Sequence, residues 1–349
     1  MTAIGGGGHG DQVLKALLLA PKNRYKIYGA DANPNCAQAS LVEKFVTLPM
    51  AGDSNYLNTL LNTCKKLDIQ VLLHGCEPEL LVFSKNRELI EQNGIFLPIN
   101  ESRVIELCSD KIATNARLFE LGFHVPRYYK VNSESELDKI DWFPVVVKPS
   151  INGGGSANVF IAQNLEELQS LVAYMNCSTI SNDYIVQEYV GTPNNEYTVG
   201  VLHDMEGRYV NSIAVKRHLD NGLSVRCRVL NRTKRKELGS HLIISSGVSQ
   251  GDIGRFKEVT SQCREIAEKL GSRGPLNFQC RLVDGNVCVF EINPRYSGTT
   301  SLRAMVGFNE PDILIRRHLL HEDIAQDAPY REATILRNLT EIIRSGEAV

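Results

Sequence analysis

The chain has 349 residues with 38 basic and 40 acidic side chains, and 43% of the residues are hydrophobic. This length and composition predict a folded globular protein with two or three subdomains and exclude a disordered or fibrous chain. The near-neutral charge balance and the lack of an apolar run of about 20 residues predict no nucleic-acid partner and no membrane partner, which favours small-molecule chemistry.

The first hundred residues alternate short apolar runs with amphipathic stretches. The predicted strands span residues 26–30, 71–74 and 95–98, and the predicted helices span residues 56–67 and 78–92. This alternation is typical of a βαβαβ unit with a parallel sheet. We therefore predict that residues 1–108 form an α/β domain.

Beyond residue 108 the predicted elements are mixed, as in an α+β architecture. The predicted helices span residues 110–121, 165–175, 255–270, 297–306 and 311–320, and the predicted strands span residues 144–148, 158–162, 184–189, 196–202, 208–215, 276–283 and 287–292. Gly122 and Pro126 mark the end of the first of these helices. We place a small lobe with a linker helix over residues 109–190, a large lobe over residues 191–320 and a C-terminal extension over residues 321–349.

A glycine run near the N-terminus permits a different interpretation. Residues 5–10 match G-x-G-x-x-G, and Asp31 follows at about the distance typical of a dinucleotide fingerprint. Four consecutive glycines satisfy this pattern almost automatically, and a tight turn into a helix explains the same residues without a cofactor. An NAD-binding oxidoreductase, or a non-catalytic nucleotide-binding module, is kept as an alternative.

A buried strand pattern ends in Lys148 and is followed by a loop containing Gly153, Gly154, Gly155 and Ser156. A cation at a strand end, beside a loop with many backbone N–H groups, suits a polyphosphate. Glycine hinges also suit a lid that excludes water from a reactive intermediate. A surface lysine with an ordinary hairpin turn explains this segment equally well by itself.

A second apolar strand leads into a hinge at Glu188, Tyr189, Val190 and Gly191, with Glu196 close behind. Backbone groups of such a hinge are suited to an adenine edge, and a nearby carboxylate is suited to ribose hydroxyls. Each of these residues, taken singly, is also compatible with an ordinary strand edge.

Three oxygen-bearing side chains converge in the last strand pair. Glu291 and Asn293 alternate onto one face of a strand, and Gln279 on the preceding strand can meet them across the hairpin. A carboxylate with amide oxygens suits Mg²⁺ that bridges ATP phosphates. Arg295 lies just beyond and is suited to stabilising a transferring phosphoryl group.

Taken in order, these segments resemble the ATP-grasp superfamily, in the branch of carbamoyl phosphate synthetase large subunits and amino-acid ligases. The segment from Glu291 to Arg295 is the most specific part, supported by residues 74–80 and 109–111. The resemblance implies a Rossmann-like preATP-grasp domain followed by a two-lobed ATP-grasp domain. Gln279 departs from the carboxylate that many relatives carry. The resemblance assigns Lys111 and Lys148 to nucleotide phosphates, Glu188 and Val190 to adenine, Glu196 to ribose, Gln279, Glu291 and Asn293 to Mg²⁺, and Arg295 to the acyl phosphate.

The implied activity is an ADP-forming ligase that joins a carboxylate to an amine through an acyl phosphate. A bicarbonate-phosphorylating or carboxylating enzyme of the same fold is the nearest alternative. A homodimer is compatible with the resemblance. Nine scattered cysteines without a C-x-x-C pair, and an N-terminus unlike a secretion signal, predict reduced thiols and a cytoplasmic protein. The candidate substrate-binding residues are Glu77, Arg217, Arg226, Ser297 and Gly298.

Overall fold

The computed structural model describes residues 1–131, 134–151, 156–177 and 184–341. The predicted loop residues Gly153, Gly154 and Gly155 lie outside this range, so the proposed lid is not among the described parts of the chain. None of the helices within the described ranges is long and apolar enough to cross a membrane.

The N-terminal unit is a layer of short parallel strands with helices around it. Strand β1 (Tyr28–Asp31) pairs in parallel with β2 (Lys44–Thr47). Residues 1–4 lie beside β1, because Ala30 N donates to Met1 O, and they also contact the next segment, because Thr2 N donates to Leu73 O. The helices are α1 (His9–Leu18), α2 (Tyr56–Lys66), α3 (Glu77–Lys85), α4 (Arg87–Gln92) and α5 (Ser102–Ser109).

The predicted alternation of strands and helices in this unit is confirmed, although α1, β2 and α5 were not among the predicted elements and two predicted regions differ locally. Residues 71–74 and 95–98 are joined by a single parallel bridge, between Val71 and Phe96, rather than by full strands. The single helix predicted over residues 78–92 is divided into α3 and α4 at Asn86, whose backbone leaves the helical region.

Packing explains Gly10, the last glycine of the N-terminal run. A Cβ atom added to Gly10 would lie 2.1 Å from Ala3 O and 2.8 Å from Gly75 Cα, so α1 approaches residues 2–3 and 75 more closely than a side chain permits. Asp31, the candidate ribose ligand of a dinucleotide, accepts a 2.8 Å hydrogen bond from Gly5 N. The motif is thus a turn into α1, as the alternative to NAD binding predicted.

A small lobe follows the linker helix α6 (Lys111–Glu120). Its antiparallel sheet has the strand order β3-β6-β4-β5, and α7 (Leu165–Cys177) packs against it over a shared core. Helix α6 ends at Glu120, just before Gly122, whose φ of 83° suits a glycine after a helix end. The strands are β3 (Tyr128–Val131), β4 (Val145–Pro149), β5 (Phe160–Ala162) and β6 (Tyr184–Glu188).

The large lobe is an antiparallel sheet with the strand order β13-β12-β7-β8-β11-β14 in the described residues. One face packs against α8 (Lys257–Leu270), and the other packs against α9 (Thr300–Met305), α10 (Glu310–His318) and the N-terminal α1. The strands are β7 (Glu196–His203), β8 (Tyr209–Arg217), β11 (Gly251–Gly254), β12 (Pro275–Val283), β13 (Asn286–Asn293) and β14 (Ala333–Ile335). The last strand brings the predicted C-terminal extension into this sheet.

A separate hairpin connects the two lobes. Strands β9 (Val225–Leu230) and β10 (His241–Ser245) pair with each other, and the hairpin packs on the small lobe through Leu238 and Leu242, which contact a cluster that contains Tyr189. This hairpin was absent from the predicted elements. It covers the groove between the small lobe and the β12–β13 hairpin.

Candidate active site

A cavity lies between the sheet of the small lobe and the β12–β13 hairpin of the large lobe. One part of its wall is apolar and is suited to a planar base. The opposite part carries two lysines and a carboxylate, as a polyphosphate with a metal ion requires. The apolar wall includes Val146, Val159, Tyr189, Ile243 and Ile244, and the polar wall includes Lys111, Lys148, Gln279 and Glu291.

Lys148 is buried in the polar part of this cavity. It stands on β4, and its Nζ donates to Gln187 Oε1 at 2.8 Å and to Phe290 O at 2.9 Å. Burial, and then the nearby Lys111 ammonium, lower the pKa of Lys148 to about 7, although Glu291 acts in the opposite direction. A phosphate placed here would stabilise the charged form of this lysine.

Lys111 begins α6, where a local cap holds the chain in place. Asp110 Oδ1 accepts from Ile112 N at 2.8 Å and from Ser150 Oγ at 2.7 Å, which ties the helix start to the end of β4. The Lys111 ammonium lies 3.9 Å from the Glu291 carboxylate. Lys111 therefore lies beside the predicted metal carboxylate, and Lys148 is bonded to the backbone of the preceding residue, Phe290.

The predicted metal residues share the β12–β13 hairpin. Gln279 is paired directly with Glu291, and both line the cavity, as side-chain alternation predicts. Asn293 is buried, and its Oδ1 accepts a 2.9 Å hydrogen bond from Arg295, so the structure engages this amide with an arginine. Glu291 and Gln279 fit a Mg²⁺ that obtains its other ligands from phosphates and water. Among the described residues no cluster of three or more His, Cys, Asp or Glu side chains could hold a metal ion.

The hinge after β6 is fixed by arginines. Glu188 lines the cavity, and its carboxylate is ion-paired with Arg127 at 2.9 Å and with Arg235 at 2.8 Å. Arg281 donates to Val190 O at 3.0 Å, and its guanidinium lies 4.4 Å from the ring centre of Tyr189. The predicted adenine hinge is thus a rigid edge of the cavity.

Glu196 occupies a different environment from the one predicted. Its carboxylate is buried between two arginines, with Arg281 at 3.0 Å and Arg217 at 3.4 Å. Its Oε1 atom is buried without a hydrogen-bond partner among the described residues. The residue still lines the first cavity, so a ribose contact stays a prediction, and its single carboxylate is shared by two buried cations.

A second, larger cavity of about 310 Å³ adjoins the first. The two cavities share Ser156 and Gln279 in their walls. The second one lies where the N-terminal unit meets the large lobe, with the start of α1 and of α3 on one side. Its other wall is formed by the segment from Ser246 to Ser249 and by residues near the start of α9.

Four of the five predicted substrate-binding residues line this second cavity, namely Glu77, Arg217, Ser297 and Gly298. Arg295 lines it too, and its guanidinium is paired with Glu77 at 2.7 Å. The fifth residue, Arg226, is exposed on β9 and belongs to neither cavity wall, because its position on that hairpin directs it to the surface.

His9 lies in the wall of the second cavity as an uncharged side chain. Burial, followed by the Arg295 guanidinium and His74, lowers the pKa of His9 well below its usual value. Its Nε2 atom is buried and has no hydrogen-bond partner among the described residues. A neutral imidazole with a free nitrogen is suited to hydrogen-bonding a bound substrate.

Sequence reasoning missed several lining residues. Ile243 and Ile244 were recognisable as an apolar run between polar residues, and Arg281 as a cation in an apolar strand. Arg337, by contrast, follows a short stretch without any motif, and only the pairing of β14 with β11 brings it to the second cavity.

This two-lobed architecture, with two lysines in the wall of the cavity between the lobes, is similar to that of ATP-grasp proteins, and family models match two parts of the chain. Residues 3–98 match the family model described as PylC-like, N-terminal domain. Residues 181–342 match the model described as ATP-grasp in the biosynthetic pathway with Ter operon. The predicted resemblance to the ATP-grasp superfamily is confirmed.

Curated relatives are large chains of carbamoyl phosphate synthase. That of Thermoplasma volcanium is 25% identical over 232 residues, which cover 64% of this chain and 20% of the relative. The C-terminal section of the large chain of Aquifex aeolicus is 25% identical over 226 residues, which cover 60% of this chain and 36% of the relative. The chain therefore spans only about a fifth to a third of the length of these relatives.

Solved structures confirm the predicted fold. N5-carboxyaminoimidazole synthetase from Staphylococcus aureus, complexed with ADP, has a TM-score of 0.62 at 15% identity, covering 94% of this chain and 78% of that one. Biotin carboxylase from Campylobacter jejuni has a TM-score of 0.62 at 14% identity, covering 90% and 69%. L-amino acid ligase from Bacillus licheniformis has a TM-score of 0.58 at 18% identity, covering 88% and 72%.

Proposed function

We propose that this chain is an ATP-dependent ligase that joins a carboxylate to an amine through an acyl phosphate and releases ADP and phosphate. The observation that carries the proposal is the junction of the two cavities at Ser156 and Gln279. A nucleotide in the first cavity would direct its terminal phosphate toward this junction, where a carboxylate in the second cavity could reach it.

In this proposal ATP lies between the lobes, with its base on the apolar wall beside Tyr189 and its phosphates at Lys111 and Lys148. Glu291 and Gln279 would hold Mg²⁺, which neutralises charge on the transferring phosphoryl group when it is bound. The charged form of Lys148 would be stabilised most by this arrangement, because the phosphates would take the place of the solvent that burial has removed. Positioning supplies most of the rate in such reactions.

The second cavity would hold the carboxylate and the amine. Arg295 is paired with Glu77 on one side and bonded to Asn293 on the other, so its guanidinium is held near the predicted metal strand. We propose that it stabilises the acyl phosphate and the oxyanion formed when the amine attacks. His9 can accept a hydrogen bond from the attacking amine, because its Nε2 is uncharged and unpaired.

The second candidate function is phosphorylation of bicarbonate, or carboxylation. Curated relatives named carbamoyl phosphate synthase favour it, as does the likeness of fold to biotin carboxylase. The second cavity, at about 310 Å³, is far larger than bicarbonate requires, and this favours an organic carboxylate.

The domain boundaries, the oligomeric state and the cellular location belong to the same proposal. The domain boundaries at residues 108 and 190 are retained as proposed, whereas β14 lies in the sheet of the large lobe, so we propose that residues 321–341 belong to that lobe. A homodimer in the cytoplasm is proposed as well, and the nine free cysteines are compatible with a reducing compartment. Light scattering of the purified protein tests the dimer directly.

The test is a screen for ADP release from Mg·ATP with a panel of amino acids and small carboxylates, singly and in pairs. We expect ADP release to require a carboxylate together with an amine. Hydroxylamine should replace the amine and yield a hydroxamate, because it traps an acyl phosphate. ADP release with bicarbonate alone would establish the second candidate instead. No ADP release with any pair, despite ATP binding, would contradict both.

A further inference from the structure

The C-terminal part of the described chain supplies one arginine to the second cavity. Strand β14 pairs with β11 at the edge of the large sheet, and Arg337 follows two residues later. Its backbone N–H donates to Gln250 Oε1 at 3.1 Å, and its Nε donates to Ser249 O at 2.9 Å. These contacts place the guanidinium in the cavity wall, next to Gly298.

Arg337 differs from the other two arginines of this cavity in its charge balance. Arg217 is paired with Glu196 at 3.4 Å, and Arg295 is paired with Glu77 at 2.7 Å. The hydrogen bonds of the Arg337 guanidinium go to carbonyl oxygens, and within the described residues no carboxylate forms an ion pair with it. Arg337 thus lacks an ion-paired carboxylate among the described residues, whereas Arg217 shares the single Glu196 carboxylate with Arg281.

A partly buried cation without an ion-paired carboxylate is costly, and an anion that binds beside it removes part of that cost. Burial lowers the pKa of Arg337, and the neighbouring Arg217 acts in the same direction, whereas Asp11 opposes them. Asp11 is already engaged, since it accepts from Lys15 at 2.8 Å and from Gln38 at 2.9 Å. An external anion is thus the partner that this site lacks.

The position of Arg337 separates this role from the chemistry of the nucleotide. Ser156 and Gln279 belong to the walls of both cavities, whereas Arg337 belongs only to the wall of the second. Arg295 is the arginine joined to the predicted metal strand, through Asn293. An anion at Arg337 would therefore be a part of the substrate that is remote from the reacting carboxylate.

We propose that Arg337, beside Arg217, binds a second anionic group, a carboxylate or a phosphate, on the substrate of the second cavity. The substrate would then be a dicarboxylate, an acidic amino acid or a phosphorylated acid rather than a simple monocarboxylate. This inference rests on the proposed function for its meaning in catalysis. The anion-binding site itself follows from the position of Arg337 in the cavity wall and does not depend on the proposed function.

The first experiment measures binding and needs no turnover. Glutarate and inorganic phosphate are titrated against the full chain with Mg·ADP, with the neutral glutaramide as a reference probe. In Arg337→Gln we expect the dissociation constant of at least one anion to rise about tenfold, the order of effect of losing a charge-assisted hydrogen bond. Which anion responds distinguishes a carboxylate site from a phosphate site.

Arg331→Gln is the matched control. Arg331 lies on the same segment and also donates to a backbone carbonyl, Met305 O at 2.9 Å, but it is exposed and outside the cavity wall. Its substitution should leave both dissociation constants unchanged. Arg337→Lys retains the charge without the planar fork and should weaken binding by a smaller factor, which provides a reading if the Gln variant does not fold.

The inference is overturned if the Arg337 variants bind both anions like the unaltered chain, or if neither anion binds better than glutaramide. The second experiment compares ADP release with glutamate and with glutamine in the same variants. A loss of the preference for glutamate in Arg337→Gln alone supports the inference. Anion binding that depends on Arg337, without ADP release from any pair, would refute the proposed ligase while leaving this site in place.

Discussion

At the scale of single residues, the site depends on a few charges placed in a mostly buried groove. Lys148 is buried and Glu291 is partly exposed, yet both face the same cavity. Their residue types and strand positions were readable from the sequence, because alternation decides which side chains share a face. Their electrostatic environment was not readable, because it depends on how closely distant elements pack.

Replacing Glu291 by Gln should abolish turnover and leave the fold intact. The substitution removes the one carboxylate of the proposed metal pair and retains its shape, so we expect ADP release to fall by at least about a hundredfold. The melting temperature should change little, since the side chain is 22% exposed and Lys111 lies 3.9 Å away. Asp284→Asn, in the exposed turn of the same hairpin, is the control. Turnover that survives in Glu291→Gln would show that the metal assignment is wrong.

The affinity for nucleotide should depend on pH through Lys148. Its pKa in the folded protein without nucleotide is about 7, below the usual 10.5, so the ammonium loses its proton as the pH rises above 7. Phosphates bind the charged form, and the dissociation constant of Mg·ADP should therefore rise between pH 7 and pH 9, by at most about tenfold per pH unit. In Lys148→Arg the side chain stays charged, and the rise should disappear. An equal pH dependence in both proteins would contradict this account.

The lowered pKa of Lys148 makes stability rise with pH, whereas it makes the affinity for nucleotide fall. Because the folded pKa lies below the unfolded value, the unfolded chain binds more protons between pH 7 and 10.5. The contribution of Lys148 to the free energy of unfolding is therefore least favourable below pH 7, and it improves as the pH rises through this window.

At the scale of elements, close backbone approaches and buried ion pairs decide how the units join. Gly10 permits α1 to lie against residues 2–3, and α1 in turn packs on the large lobe with α9 and α10. Glu196 joins β7 to β8 and β12 through Arg217 and Arg281. Both features hold the walls of the two cavities in place.

Replacing Gly10 by Ala should destabilise the fold by about 1–3 kcal/mol or more, because the new methyl group would overlap a backbone oxygen that cannot move freely. Gly8→Ala is a close control in the same turn, since its Cβ would have no neighbour within 4 Å. We expect the control to change the free energy of unfolding by less than about 0.5 kcal/mol. Denaturant unfolding measures both variants, and equal stabilities would refute the packing role of Gly10.

At the scale of the whole molecule, the lobes meet across a groove that a nucleotide can bridge. The small lobe, the β9–β10 hairpin and the β12–β13 hairpin each contribute part of one cavity wall. A ligand that contacts all three should stabilise the folded state as a unit. The glycine run makes no comparable site for a dinucleotide, because its turn and Asp31 are bonded to each other.

Mg·ATP and Mg·ADP should therefore raise the melting temperature, whereas NAD should not. At about a hundred times the dissociation constant, binding adds about 2.7 kcal/mol to the free energy of unfolding. Differential scanning fluorimetry at equal ligand concentrations measures this difference. A shift with NAD and none with the adenine nucleotides would reverse the assignment.

Most strands and helices around the two cavities and the shared facing of Gln279 and Glu291 could be predicted from the sequence, and Lys148 could be proposed there as a phosphate ligand. These features follow from periodicity and local turn chemistry, which act over a few residues. The assembled fold was needed to show that Glu196 lies between two arginines, that Arg226 lies at the surface and that Arg337 reaches the second cavity. Arg295 and Glu77 are 218 residues apart in the chain and only 2.7 Å apart in space. Such pairings depend on how strands and lobes assemble, because the energy of a charge depends on the partners and burial that the complete fold provides.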